Sequence, residues 1–267
     1  TGSINTAVGF KSLDSTTTGT KNNSFGSNAM DANTTGDNNV AMGYAALNAN
    51  TTADNNTAIG HHSMIANTEG ATNTAVGSCA LDANTTGTSN VAIGSSALSS
   101  NTSADSNVAV GAFAMNDNTT GHSNTAIGRG ALDANTEAVS NTAVGFCAMT
   151  TTTTGGDNTA VGECAMKAHT TGTDNVAVGR RAGEAVTTGS NMTLVGRSAG
   201  SNATTGSQNH IFGINAGTDA VKNVTTESHQ IVIGNNGSTH AYIKIDWTVT
   251  SDERDKMNFE EVPHGLD

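Results

Sequence analysis

The sequence predicts an all-β fold, a β-solenoid or β-roll with 17-residue coils that assembles as an intertwined homotrimeric fibre. The first observation is a glycine, called here the register glycine, that recurs every 17 residues at thirteen positions. The second is a strand-like segment before each of these glycines, and the third is a composition with 3% aromatic and 13% charged residues. A short fixed period kept over most of a chain indicates that one structural unit stacks on the next. The register glycines are Gly9, Gly26, Gly43, Gly60, Gly77, Gly94, Gly111, Gly128, Gly145, Gly162, Gly179, Gly196 and Gly213.

The segment before each register glycine alternates in a way typical of a short strand. With the register glycine as position 0, position −4 is Asn in twelve of thirteen repeats, and Met192 is the exception. Position −3 is mostly Thr or Val, −2 is mostly Ala, and −1 is always apolar, as in Val8, Ile59 and Ile93. Alternation with a period of two predicts that −3 and −1 share one face of the strand. We expect the Val and Ile side chains of this face to fill the coil.

A second apolar pair follows each register glycine. Positions +3 and +4 read Ala or Ser, then Leu or Met, as in Ala46-Leu47 and Ala114-Met115, and a polar turn such as 33–36 comes next. Asn and Gly suit turns because both tolerate positive φ. The unit is therefore predicted to be strand, turn, strand, turn. Helices are disfavoured because no long window has apolar residues at spacings of three and four.

The interior of a single chain is predicted to be thin, which favours a trimer. Each coil offers three or four apolar side chains, mostly small, against a backbone entropy cost of about 1–2 kcal/mol per residue. We therefore expect Leu and Met at +4 to face partner chains around a three-fold axis. In the last three repeats +4 becomes Gly183, Gly200 and Gly217, where we expect the chains to approach more closely or the packing to change.

Charge and composition exclude several classes of function. The formal net charge of −12 disfavours nucleic-acid binding, which needs clustered Lys and Arg. No apolar run approaches the ~20 residues that span a bilayer, so no membrane insertion is expected. Acidic residues within the repeats are scattered, and no pair fits a glycosidase. We predict that the shaft is not an enzyme and that it uses no cofactor and no metal.

The cysteines and a pair of histidines are candidates for a disulfide and a metal site. Cys79, Cys147 and Cys164 each lie two residues after a register glycine. Cys147 and Cys164 are predicted to be about 4.8 Å apart on neighbouring coils, near the lower end for a disulfide; isolated thiols are favoured, and their disulfide state stays open. His61 and His62 could bind metal, but adjacent strand residues face opposite sides, so a surface pair is expected.

The repeat loses its register after Gly213. A strand-like segment at 230–234 arrives four residues late, and a second alternating segment at 241–249 carries the single Trp. These changes predict three regions: a solenoid shaft at 1–217 with thirteen coils, a β-rich trimeric cap at 218–250, and a further segment at 251–267.

The segment 248–256, Thr-Val-Thr-Ser-Asp-Glu-Arg-Asp-Lys, is the most specific motif in the chain. It resembles the junction where phage tail-fibre and tailspike proteins pass into a C-terminal intramolecular chaperone of the endosialidase type, the S74 peptidase family. The resemblance continues through 262–267, so 251–267 resembles the start of a truncated chaperone. The Asn-Thr-Ala-Val-Gly repeats likewise resemble those of such fibres, and they are similar to the left-handed β-rolls of trimeric adhesin heads.

This resemblance implies a function and a processing site. It implies self-cleavage at the Ser251–Asp252 bond, with Ser251 required and Lys256 as candidate base, only where the full chaperone is present. A Ser hydroxyl becomes a useful nucleophile when a nearby base takes its proton, and a desolvated Lys can be that base. The chain is then a trimeric phage tail fibre in the extracellular virion, and its partners are tail components and a host surface receptor, a glycan or an outer-membrane component.

Variable side chains next to the register glycines are candidates for receptor contact. Two alternatives share the repeat: a bacterial trimeric adhesin head, and a solenoid that binds ice through the Thr that fills +8 in twelve of thirteen repeats. The variable residues are Phe10, Tyr44, His61, His62, Arg129, Phe146, Glu163, Arg180 and Arg197.

Overall fold

The fold is a parallel β-solenoid with 17-residue coils, as the glycine period predicts. A computed structural model describes residues 2–220 and 222–240, and its strands form one parallel sheet in chain order. The strands are β1 (Thr6–Val8), β2 (Asn23–Phe25), β3 (Val40–Met42), β4 (Thr57–Ile59), β5 (Thr74–Val76), β6 (Val91–Ile93), β7 (Val108–Val110), β8 (Thr125–Ile127), β9 (Thr142–Val144), β10 (Thr159–Val161), β11 (Val176–Val178), β12 (Thr193–Val195), β13 (His210–Phe212) and β14 (Ile231–Ile233).

Each strand pairs with the equivalent residues of the next coil. Ala92 in β6 lies opposite Ala109 in β7, an offset of 17 residues. The last step is longer, since Ile211 in β13 pairs with Val232 in β14, an offset of 21. Contacts group Thr1–Gly237 into one compact unit and Ser238–Asp267 into another. The predicted boundaries at 217 and 250, and the trimer, stay predictions.

The register glycine is required by close backbone approach between coils. All thirteen have φ between 120° and 148°, a region that glycine adopts far more readily than other residues. A Cβ atom built on Gly94 would lie 2.5 Å from the carbonyl oxygen of Gly111, the register glycine of the next coil. A side chain therefore does not fit where each strand ends, which explains the unbroken column.

The predicted orientation of the strand is wrong. Ala at −2, as in Ala92 and Ala109, is fully buried, and so is Leu or Met at +4, as in Leu98. The −1 side chains point outward instead, and Ile93 is 40% exposed. Leu and Met thus fill the coil rather than facing partner chains. The interior is narrow, so a branched residue at −2 would collide with the large side chain at +4.

A second strand in each coil, predicted around +3 and +4, is not formed in the described residues. The chain turns there because +2 and +4 both have left-handed backbone, with φ of 53° at Ala45 and 52° at Leu47. Hydrogen bonds to the neighbouring coil continue nevertheless: the Leu47 N–H donates to the Ser63 carbonyl at 2.9 Å. Because of this turn the Leu47 side chain points into the interior, where it is fully buried.

The late coils exchange volume within the interior, so the change expected near residue 180 is a change of packing inside one chain. Where +4 shrinks to glycine, −2 grows to Leu194 and Ile211, both fully buried. A Cβ atom on Gly183 would lie 2.6 Å from Cδ1 of Leu194, so that leucine occupies the space of the missing side chain. The glycines at +4 are therefore explained by packing inside one chain.

Two buried columns of asparagine side chains run along the interior. In the −4 column, Oδ1 of Asn73 accepts from the backbone N–H of Asn90 at 2.9 Å, and Nδ2 of Asn90 donates to the Ala104 carbonyl at 2.8 Å. In the +7 column, Nδ2 of Asn101 donates to Oδ1 of Asn84 at 2.9 Å. Buried backbone groups need partners, and these amides supply them where the sheet does not.

Candidate interaction surface and side-chain clusters

One side of the sheet exposes a continuous apolar stripe, called here the outer sheet face. The stripe is the column of −1 side chains, which are apolar in all of β1–β14, and the −3 column beside it on the same face is mostly Thr or Val. In the −1 column Met42 is 45% exposed, Ile127 is 41% and Val195 is 37%. Contiguous apolar surface of this kind marks an interaction site more often than it marks free protein surface. The outer sheet face is therefore the strongest candidate for contact with another protein chain.

The column at +1 lies beside the outer sheet face. Long side chains in this column contact the +1 side chain of the next coil. The Arg129 guanidinium lies 5.9 Å from the ring centroid of Phe146, and Nε of Arg180 lies 3.2 Å from Oε2 of Glu163. These four residues are exposed, as expected of the variable columns. Exposed pairs of this kind contribute about 0–1 kcal/mol each, so they add little to the stability of the solenoid.

His61 and His62 face the same side of the coil, so the expectation that they point apart is wrong. Their ring centroids are 3.8 Å apart, and the rings are inclined by 27°. Strict alternation does not apply, because β4 ends at Ile59 and His62 has left-handed backbone with φ of 56°. Cys79 lies next to both rings, in the following coil.

The three cysteines are free thiols in the structure. Cys79 and Cys147 are half-buried, whereas Cys164 is buried. Burial raises the pKa of the Cys164 thiol, and the nearby charge of Lys167 opposes that shift. A raised thiol pKa leaves less of the reactive thiolate at neutral pH, so Cys164 is the less reactive kind of cysteine.

His169 is a buried histidine that sequence reasoning missed. It stands at +7, where seven earlier coils carry asparagine, and its Nδ1 lies 3.0 Å from the Thr152 hydroxyl. Burial lowers its pKa from 6.5 to about 4, and a backbone hydrogen bond at Gly172 acts in the opposite direction. The interruption of an asparagine run is the signal that could have found it.

The predicted cleavage site lies outside the described residues. Ser251, Asp252 and Lys256 all fall beyond residue 240, as does the last part of the predicted cap, 241–250. Their roles and the Ser251–Asp252 bond stay predictions.

Open depressions lie on the described surface. One, of about 400 Å³, is bordered by Asn191, Gln208, His210, His229 and Ile231, and these bordering residues include no carboxylate. It sits at the edge of the outer sheet face, in the last coils. The described part of the chain has no helix with the length and apolar character needed to cross a bilayer.

Comparison of the chain with known protein families, with curated proteins and with solved structures gives no match. The geometry of the solenoid and the motif at 248–256 are the features that point to a function.

Proposed function

We propose that this chain is part of the shaft of a trimeric phage tail fibre, which attaches the virion to its host. The observation that carries the proposal is the outer sheet face. Three copies that pack these faces together would bury the valine, isoleucine and methionine side chains that one chain leaves exposed. Burial of apolar surface contributes about 25 cal/mol per Å², and the stripe extends over fourteen strands.

The interface assigned here differs from the one expected from sequence. Leu and Met at +4 were expected at the three-fold axis, yet they lie inside each coil. The −1 side chains take that role in the proposal, with valine and threonine at −3 beside them. The variable +1 column stays at the edge of this interface, where residues such as Arg129 and Phe146 are available to contact a host receptor, either a glycan or an outer-membrane component.

Replacing Ile127 with aspartate is expected to convert the trimer into monomers. Ile127 is 41% exposed in one chain, so a monomer tolerates the change, whereas a trimer would bring three carboxylates together on its axis. Like charges held close in an apolar interface are strongly unfavourable. Light scattering during gel filtration measures the mass of each protein, and unheated SDS gels test its resistance to dissociation.

The matched control is Ile65→Asp, which makes the same chemical change away from the outer sheet face. Ile65 lies at +5, where other coils carry Asp82 and Asp133, so the fold accommodates the side chain. The control protein is expected to stay trimeric. A monomeric unmodified protein, or equal masses for the two variants, would contradict the proposed interface.

Self-cleavage forms a second part of the proposal. When the chain continues through the whole chaperone, hydrolysis of the Ser251–Asp252 bond would release the chaperone from the assembled fibre. In the proposed step Ser251 is the required hydroxyl and Lys256 the candidate base: water adds to the scissile carbonyl, the C–N bond to Asp252 breaks, a proton passes to the departing Asp252 amine, and Ser251 is left with a free carboxylate. Ser251→Ala is expected to abolish release in a chain that carries the whole chaperone. Mass spectrometry identifies the products. Processing of the variant at the same bond as in the unmodified chain would contradict the role assigned to Ser251.

The proposal also separates this chain from its alternatives. In the Thr column at +8, the Thr34 hydroxyl donates to the Thr51 carbonyl at 2.9 Å, and the same pattern recurs in later coils. These hydroxyls use their proton inside the coil stack rather than offering it to ice. The adhesin alternative shares the trimeric roll, and the release of a chaperone at Ser251 distinguishes the phage fibre from it.

A further inference from the structure

Two neighbouring coils bring together three metal-ligating side chains on one side of the solenoid. His61 and His62 come from the turn after β4, and Cys79 comes from the turn after β5. Their ligating nitrogen and sulfur atoms all lie within 4.8 Å of one another. In the described part of the chain this is the one such group of three or more His, Cys, Asp or Glu residues.

The backbone sets this arrangement before any ion is present. His62 and Cys79 occupy the same position, +2, in consecutive coils, with φ of 56° and 53°. The Cys79 N–H donates to the His61 carbonyl at 3.0 Å, which holds the two coils at the spacing of the sheet. The three side chains are therefore presented by hydrogen-bonded backbone rather than by a free loop.

Aromatic and polar neighbours limit the freedom of the ligands. The Tyr44 ring stacks on His61, with centroids 5.6 Å apart and planes inclined by 18°, and it also contacts His62 at 5.5 Å. The Ser78 hydroxyl donates to the Cys79 sulfur at 3.9 Å. These contacts hold both imidazoles on the side of the coil where Cys79 lies.

A fourth side chain, the carboxylate of Asp82, lies near Cys79. Asp82 is half-buried, and its carboxyl group lies close enough to the Cys79 and His62 side chains to interact with both. A carboxylate next to a ligating residue orients that residue, and it can also take a coordination position. The donor set is thus two nitrogens and one sulfur, with an oxygen nearby.

We propose that His61, His62 and Cys79 bind one divalent late transition-metal ion of the zinc class. Zinc takes imidazole nitrogen at about 2.0–2.1 Å and thiolate sulfur at about 2.3 Å in a tetrahedral arrangement. Such an arrangement places ligand atoms about 3.3–3.6 Å apart, so the three side chains need to close by about 1 Å. His61 is exposed and can make that adjustment by rotating its side chain.

Binding would convert the Cys79 thiol to a thiolate, with its proton released to solvent, while both imidazoles stay neutral. Asp82 or a water molecule completes the four ligands. Hard cations such as calcium and magnesium prefer oxygen ligands, so they do not suit this site. The ion would clamp one coil to the next from within a single chain, and the inference does not depend on the trimer.

The test uses the full 267-residue chain, purified free of metal, and zinc and cobalt(II) as probes. Calorimetric titration with zinc is expected to show one ion per chain. Cobalt(II) is expected to give the sulfur-to-metal charge-transfer absorption of a thiolate complex. Cys79→Ser is expected to abolish this absorption, and His61→Ser or His62→Asn is expected to weaken zinc binding at least about tenfold.

Each variant places in the site a residue that the same column already carries elsewhere. Ser96 occupies the position of Cys79 with φ of 52°, Asn28 occupies that of His62 with φ of 57°, and Ser78 stands at the position of His61. The fold is therefore expected to survive, which circular dichroism checks. Cys147→Ser and His122→Asn are the controls, and both are expected to bind zinc like the unmodified chain.

Several results would overturn the proposal. They are the absence of zinc binding by the unmodified chain, unchanged binding after Cys79→Ser, and a stoichiometry that falls equally in Cys147→Ser. A ratio below one ion per chain would also overturn it, because the ligands would then be shared between copies. X-ray absorption of the zinc complex adds a direct check, since the proposal requires one sulfur at about 2.3 Å.

Discussion

Replacing Gly94 with alanine is expected to destabilise the protein by at least about 4 kcal/mol and to open the coils on both sides. A Cβ atom there would lie 2.5 Å from the carbonyl oxygen of Gly111 and 2.6 Å from its carbonyl carbon. Those atoms are backbone in a hydrogen-bonded sheet, so they cannot move without breaking the pairing. The φ of 136° adds strain that a residue with a side chain does not relieve.

The measurements are thermal unfolding by circular dichroism and hydrogen–deuterium exchange of the amides around Gly94 and Gly111. Gly130→Ala provides the control, because the nearest atom to a Cβ there is the Cys147 sulfur at 3.7 Å. Gly130 has φ of 62°, and Ala45 adopts φ of 53° at the same position in another coil. The control lacks the backbone collision and is expected to cost only about 1–2 kcal/mol, the usual cost of left-handed backbone for a residue with a side chain. Equal losses in the two variants would refute the explanation of the register glycines.

The second large effect is a loss of stability on acidification that depends on His169. Its pKa is about 4 in the folded protein and 6.5 for a free side chain, so the unfolded chain binds the proton more tightly. The neutral form of His169 is the one that the folded state accommodates. The folded state has its full free energy of unfolding above about pH 6.5, and it loses part of it as the pH falls toward about 4 and the buried histidine must take up a proton. This difference between the folded and unfolded pKa corresponds to about 3 kcal/mol in the free energy of unfolding.

His169→Asn is the matched variant, because asparagine is the usual residue of this column and does not titrate. The comparison is the change in denaturant midpoint between about pH 7 and about pH 4.5 for the two proteins. Carboxylates contribute to both proteins alike, so the difference between the two changes isolates the histidine. If the asparagine variant loses as much stability as the unmodified protein, the buried neutral histidine is not the cause.

The glycine period was sufficient to predict the solenoid, the length of its coil and the places of β1–β13. It could not decide which side of the strand faces inward, because both sides carry apolar residues. Ala92 and Ile93 illustrate the difficulty: the larger side chain is the natural choice for the interior, yet the small one is buried. The available volume depends on the whole coil, and Leu98 from the far side already fills it.

A signal for this arrangement was nonetheless present in the sequence. Position −2 grows to Leu194 and Ile211 in the repeats around Gly183 and Gly200, where +4 has lost its side chain. Two columns that exchange volume must share one space, and that space is the interior. The −1 column shows no such exchange, which is consistent with its exposure on the outer sheet face.

The side-chain clusters were only partly predictable, for a local reason. The exposed +1 column follows from its place beside each register glycine. The contact between His61 and His62 does not, because it depends on left-handed backbone at a residue that is not glycine. Such a conformation is uncommon for side chains of this size, and here the stacking of coils enforces it.

The asparagine column at +7 gives part of the interior an electrical direction. From Asn33 to Asn135 the amides form six consecutive bonds in which each Nδ2 donates to the Oδ1 of the previous coil. Their dipoles point the same way and reinforce one another, as peptide dipoles do in a helix. The positive end faces the first coils, and the negative end is Oδ1 of Asn135, a buried acceptor without a hydrogen-bond partner in the described residues. The two ends of this stretch are therefore electrically unequal, although every coil along it is built alike.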